Sequence, residues 1–255
     1  MTSPYPHDPD EHILQMPHKK KRSVVDASYR FESRNPIYRL NAWLLRQVAL
    51  IVLPIWAKLA CQYRVIGRKN LRKVRHQGAV LIINHVYFLD VPIACGCAIR
   101  DRKVRYVTLG ENMDIPVAGR IIKMLGGIPL GSNFSGAKAF QRTVVNLLKR
   151  RKLVLFCAES SLWPRYRGIR PFHRGGFVAA VQAGAPVVPM VITFSDGWFG
   201  RPKLTMTVGE PIPSTGKTAK ALCEETHRVF EKIAQDFYGP EYNPDMEPEA
   251  DSSCG

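Results

Sequence analysis

The chain has 255 residues, 45% of them apolar, which suffices for one large core and leaves room for tails. Its net charge of +16 calls for an anionic partner: a phosphate headgroup, an anionic membrane, coenzyme A or nucleic acid. No zinc-finger spacing, RNA-binding aromatic block or heptad array is visible, so nucleic acid is not expected, and the six scattered cysteines form neither a Cys-x-x-Cys pair nor a metal-ligand set.

Taken in order, residues 1–35 are rich in Pro, His and charge, contain the run His18-Lys19-Lys20-Lys21-Arg22, and read as a disordered basic tail able to meet an anionic bilayer. No apolar signal-peptide core is present near Met1, and the cysteines read as reduced thiols of a cytosol-facing protein. Residues 36–61 form the most apolar long helix candidate. Their fully uncharged run, 47–57, is short for a spanning helix, Pro54 should kink it, and Trp43 and Trp56 suit an interface. The segment therefore reads as an amphipathic membrane anchor; packing onto the domain is the alternative.

From residue 62 to 238 apolar runs alternate in period. Strands are expected at 63–66, 79–84, 104–109, 153–158, 187–194 and 204–209, and helices at 90–99, 115–125, 136–151 (capped by Ser135), 175–183 and 218–238. Gly126 and Gly127 should end the second helix in a turn. The alternation predicts an α/β domain, a layered mixed sheet flanked by helices, with the N-terminal helix facing a membrane. Residues 239–255 read as a flexible acidic tail.

The 79–84 run is apolar throughout, as in a strand buried on both faces, and stops at Asn84-His85. Asp90 follows five residues after His85, where the next helix should begin. An imidazole at the carboxyl end of a strand, with a carboxylate on its other nitrogen, is suited to take a proton from a hydroxyl. No Ser or Cys here is placed as a nucleophile. On spacing alone the two residues fit a helix cap equally well.

Four blocks carry a resemblance. Asn84-His85-x4-Asp90, Gly126-Gly127-Ile128-Pro129-Leu130, Leu155-Phe156-Cys157-Ala158-Glu159-Ser160-Ser161 and Ala185-Pro186-Val187-Val188-Pro189 stand in the order and spacing of the glycerophospholipid acyltransferase superfamily, lysophosphatidic-acid acyltransferase type. The likeness runs from Tyr63 to about Pro213. It implies transfer of a fatty acyl group from acyl-CoA or acyl carrier protein to a lysophospholipid hydroxyl. That reaction belongs to phospholipid synthesis or remodelling at the cytosolic face of a membrane, and needs no metal and no cofactor beyond the acyl donor. His85 would be the base, Asp90 its orienting partner, and Glu159 an acceptor-binding residue.

Ser160, beside Glu159, is a further candidate for binding the substrate, and a basic run follows it: Arg165, Arg167 and Arg170, then His173 and Arg174, interleaved with aromatics. Arginine forks at this point would grip a headgroup phosphate or coenzyme A; a solvated basic loop is the plain alternative. Gly127 would let backbone approach a ligand closely. The arginine usual soon after the second block is missing, since Ser132, Asn133 and Phe134 stand there; Arg120, Lys123 and Lys138 are the nearby cations that could replace it, and spacing does not choose among them. The third block lacks its usual proline and glycine. Two rival readings are a thioester hydrolase using the same pair with water, and a non-catalytic basic module that binds membrane or nucleic acid.

Overall fold

The computed structural model describes residue 8, residues 24–100, residues 104–240 and residue 242. One mixed sheet of seven strands runs β1 (Arg64–Ile66), β7 (Pro202–Val208), β6 (Val187–Asp196), β2 (Ala79–Ile83), β5 (Leu153–Cys157), β3 (Arg105–Thr108) and β4 (Gly127–Pro129). β2 pairs parallel with both β5 and β6, while β6 and β7 pair antiparallel. All five residues of β2 are buried. Its side chains alternate between two cores: Leu81 and Ile83 join Leu155 and Met190 on one face, Val80 and Ile82 join Val154 and Phe156 on the other. A centre strand covered on both faces needs the unbroken apolar run that the sequence has.

The second core is closed by α5 (Phe134–Lys149), α6 (Gly175–Ala183) and α7 (Ala219–Tyr238), through Phe140 and Val144, Phe177, and Leu222 and Phe230. The first is covered by α1 (Pro36–Cys61) and by α3 (Asp90–Ile93), which continues as a π-helix over Ala94–Ile99. α1 and the π-helix meet closely: a Cβ on Gly96 would lie 2.9 Å from the Leu53 side chain. α2 (Lys69–Arg72) and α4 (Ala118–Leu125) are short connectors.

Three local readings change. β4 was expected as a turn; its Gly-Ile-Pro triplet pairs with β3 at the sheet edge, where a proline is tolerated because its missing N–H faces no further strand. The helix begun at Asp90 is not a single α-helix but widens after Ile93. Asn133, not Ser135, caps α5: its Oδ1 accepts from the Gly136 N–H at 2.8 Å and from the Ser135 hydroxyl at 2.8 Å, so the helix starts two residues earlier, at Phe134.

α1 is 26 residues, about 39 Å at 1.5 Å per residue, and by length and composition it is long and apolar enough to cross a membrane. It continues through Pro54. Asn35 caps its start by accepting from the Tyr38 N–H, and Arg46 Nε donates to the Met124 carbonyl at 2.9 Å, tying it to the end of α4. Leu40, Val48, Ile51, Ile55 and Leu59 are left exposed along it.

Most of the N-terminal basic tail, including His18–Arg22, and residues 243–255 lie outside the described residues. Residues 24–35 are laid across the domain. Val25 is fully buried, and Val25 and Ser132 are joined by two hydrogen bonds, Val25 N–H to Ser132 Oγ and Ser132 N–H to the Val25 carbonyl, each 3.0 Å. Glu32 meets Arg150 at 3.0 Å and Arg105 at 3.7 Å. The Val25 carbonyl sits where a side chain on Gly136 would be. Gly136→Ala is therefore expected to lift this strap and to speed tryptic cleavage after Arg30 and Arg34 several-fold, read by limited proteolysis.

Candidate active site

The parallel strands β2, β5, β3 and β4 all end at one edge, where α/β sheets gather their sites. At the end of β2 the next residue, Asn84, behaves as a further rung of the sheet. Its Nδ2 donates to the Ile192 carbonyl at 2.9 Å and its Oδ1 accepts from the Ile192 N–H at 2.8 Å. That side chain stands in for backbone, so the main chain is free to turn and present His85. Asn84 is buried. Asn84→Ala would strand two buried groups on Ile192 and is expected to cost about 2–4 kcal/mol of stability, measured by urea unfolding.

Asp90 then closes the turn. Its Oδ2 accepts from the Val86 and Tyr87 N–H groups at 2.8 Å each, and meets His85 Nδ1 at 3.1 Å. Leu89 holds the N-cap position and Asp90 is the first helical residue, so its carboxylate caps backwards onto the preceding loop. The carboxylate side chain is 0% exposed and the imidazole 20%. Burial raises the Asp90 carboxyl above its ordinary range; the hydrogen bond from His85, the imidazole's charge and the two backbone N–H groups pull the other way. With a carboxylate at Nδ1 that nitrogen carries the hydrogen, which leaves the lone pair on Nε2, and Nε2 makes no hydrogen bond to the described residues.

Glu159 follows β5, the strand beside β2, as the shared pattern of the two runs implied, with Ile83 opposite Cys157. Its Oε2 accepts from the His85 backbone N–H at 3.0 Å and from Arg170 Nη2 at 3.0 Å; its Oε1 accepts from the Arg170 backbone N–H at 3.0 Å. Arg170, 3% exposed, also donates to Ser161 Oγ at 2.5 Å and lies over the Trp163 ring at 4.5 Å. Glu159 and Arg170 thus form an internal pair fastened to the base's backbone. The segment after it straps the same loop: Trp163 N–H donates to the His85 carbonyl and Arg165 N–H to the Val86 carbonyl, at 3.1 and 2.9 Å.

Of the other residues singled out in the sequence, Ser160 and Arg165 both take left-handed backbone, with φ of 65° and 60°. Arg165 is half-buried and pinned by its backbone to the His85 loop. Arg167 lies over the Phe194 and Tyr238 rings at 5.9 and 5.5 Å, and Tyr242 donates to its carbonyl. Gly127 is not brought to His85. It pairs with Tyr106, which is opposite Leu155 and so level with Leu81, about 13 Å short of His85 along the strands and three strands across. Lys123, one of the substitutes considered for the missing arginine, sits over the Tyr29 ring at 5.0 Å. Asn84 was quoted in the first block without a role; its sheet rung depends on Ile192, more than a hundred residues away, and no local signal marks it.

This geometry takes a proton and holds the resulting positive charge against a buried carboxylate. It offers no thiol nucleophile: Cys157, at the end of β5, is half-buried, and the loss of solvent around its sulfur pushes the thiol well above the ordinary range, with Asp90 and Glu159 adding to the effect. Among the described residues no group of three His, Cys, Asp or Glu side chains is placed to hold a metal ion.

Comparison with known proteins bears on the same region. The model of the acyltransferase family matches residues 62–193. A 1-acyl-sn-glycerol-3-phosphate acyltransferase of Salmonella typhimurium is 28% identical over 134 residues, 51% of this chain and 53% of that protein. One from Escherichia coli is 27% identical over 133 residues, with the same coverage. An uncharacterized acyltransferase of Schizosaccharomyces pombe is 26% identical over 187 residues, 66% of this chain and 62% of that one. The chain spans about half the length of the bacterial relatives it matches. Among solved structures, the lysophosphatidic-acid acyltransferase PlsC of Thermotoga maritima superposes with a TM-score of 0.59 at 17% identity, covering 84% of this chain and 87% of that one, which shows a shared fold.

Proposed function

Since the chain belongs to the acyltransferase family, we propose that it is an O-acyltransferase that moves a fatty acyl group from an acyl thioester to the hydroxyl of a lysophospholipid. The observation that carries the reading is the His85–Asp90 pair at the carboxyl edge of the sheet. His85 Nε2 takes the acceptor's hydroxyl proton while Asp90 holds the imidazolium. The oxygen attacks the thioester carbonyl in a ternary complex, the tetrahedral intermediate expels the thiolate, and the imidazolium returns its proton to that sulfur. No acyl-enzyme is formed. The donor is acyl-CoA or acyl carrier protein, and the enzyme works at the cytosolic surface of a membrane, held there by α1 and its positive charge.

The names of the bacterial relatives favour 1-acylglycerol 3-phosphate as acceptor. The reading is tested by supplying the full chain with that acceptor and either donor, and weighing phosphatidic acid against free fatty acid by mass spectrometry. Phosphatidic acid as the main product is expected; free fatty acid alone would make the protein a hydrolase.

Arg165 takes the acceptor's phosphate in this reading: its backbone bond to Val86 ties the residue to the His85 loop, and among the described residues its guanidinium makes only a long 3.5 Å bond to the exposed Gly200 carbonyl, which a phosphate would replace. Arg165→Ala is expected to raise the acceptor KM about tenfold or more and to leave kcat little changed, in steady-state kinetics with acceptor varied.

A further inference from the structure

A cleft of about 420 Å³ opens between α1, β1 and the end of the π-helix, and contains none of the residues of the carboxyl-edge site. Its volume is that of a small-ligand pocket. Three of its lining residues are cationic, Lys58 from the last turn of α1, Arg68 after β1, and Arg100 at the end of the π-helix. All three are exposed, and none forms an ion pair with the described residues. Arg68 also donates to the carbonyl of Cys97, another residue that lines the cleft. The remaining wall is apolar, with Pro54 and Val65 beside the ring of Tyr63.

Two guanidinium groups and an ammonium converging on one cleft match the charge and the forked geometry of a phosphate group. On the same stretch of α1, Ile55 and Leu59 each follow a lining residue, Pro54 and Lys58, and are 58% and 74% exposed. A ligand that fits both is a phosphate joined to an acyl chain. We infer that this cleft holds the phosphate headgroup of an anionic phospholipid, and so fixes how α1 and the domain sit on a bilayer. This site is independent of whether His85 is the base.

The test is co-sedimentation of the full chain with phosphatidylcholine vesicles, with and without phosphatidic acid, and calorimetric titration with inorganic phosphate. Neutral vesicles report the contribution of α1 alone, so the readout is the ratio of anionic to neutral binding. The pocket variant is Lys58→Gln with Arg100→Asn. Neither side chain makes a hydrogen bond within the described fold, and asparagine tolerates the left-handed backbone of residue 100, at φ 50°. The control is Arg228→Gln with Lys232→Gln, two exposed cations of α7 on the other side of the sheet.

With roughly fivefold per surface charge, the pocket variant is expected to lose about 25-fold of the anionic preference, and the control much less. Loss with vesicles assigns the lipid headgroup; loss confined to the inorganic-phosphate titration keeps the phosphate site but assigns it a soluble ligand. Equal loss in pocket variant and control, or none in the pocket variant, overturns the site.

Discussion

Replacing His85 by Ala is expected to lower acyl transfer by about 10²- to 10⁴-fold while the protein stays folded, because that is the range positioned general bases supply. The fold is spared for a structural reason. The imidazole is partly exposed and makes one hydrogen bond, to Asp90 Oδ2, which keeps its two backbone donors when the ring is gone. Circular dichroism and urea unfolding should therefore match the wild type within about 1 kcal/mol while product formation falls. Turnover near normal would remove His85 from the mechanism.

Asp90→Asn separates orientation from basicity. An amide places a donor or an uncharged oxygen against Nδ1 and no longer balances the imidazolium, so kcat is expected to fall by a similar order. The same carboxyl sets an acid limit on the rate. Its pKa lies above the ordinary carboxylate value through burial, and the pair works only with Asp90 ionised. As pH falls through that raised pKa the rate drops, so the acid limb of kcat/KM should lie above the range of a free aspartate. Asp90→Asn should remove the carboxyl's part of that limb and leave only the part set by protonation of the base itself.

How much of this the sequence discloses depends on how far each feature reaches along the chain. β2 and β5 were legible because five consecutive apolar residues admit few other placements, and their endings at His85 and Glu159 put both residues on one edge as soon as the strands were taken as neighbours. His85 and Asp90 were legible as a pair because the loop joining them is only four residues long, and the carboxylate closes it by bonding inside the loop. β4 was not, because three residues with a glycine and a proline carry the marks of a turn, and only pairing to β3 makes them a strand. The strap at 24–35 has polar, tail-like composition; Val25 is buried by Ser132 and Gly136, and nothing near it in sequence says so. The basic run after Glu159 shows the same limit. Composition places Arg165, Arg167 and Arg170 together, yet one is pinned beside the base, one lies over two aromatic rings, and one is inside, paired with Glu159.

That last pair gives the second large effect. Glu159→Ala is expected to destabilise the protein by about 3–5 kcal/mol, since it leaves the Arg170 guanidinium buried without its counter-charge. Both side chains are at most 3% exposed, so solvent does not screen the loss. The effect also reaches the base. Glu159 Oε2 is the acceptor for the His85 backbone N–H, so losing it frees the turn that aims Nε2, and kcat should fall along with stability. A role confined to gripping the acceptor gives a different pattern: a raised KM, with urea unfolding unchanged. The double variant Glu159→Ala, Arg170→Met distinguishes the two further. Removing the stranded cation should recover part of the lost stability, so the two changes together cost less than their sum. It should not recover kcat, because nothing then holds the His85 amide. Additive stability losses would mean that the two side chains act separately, and a kcat that survives Glu159→Ala would mean that the turn carrying His85 is held by other parts of the fold.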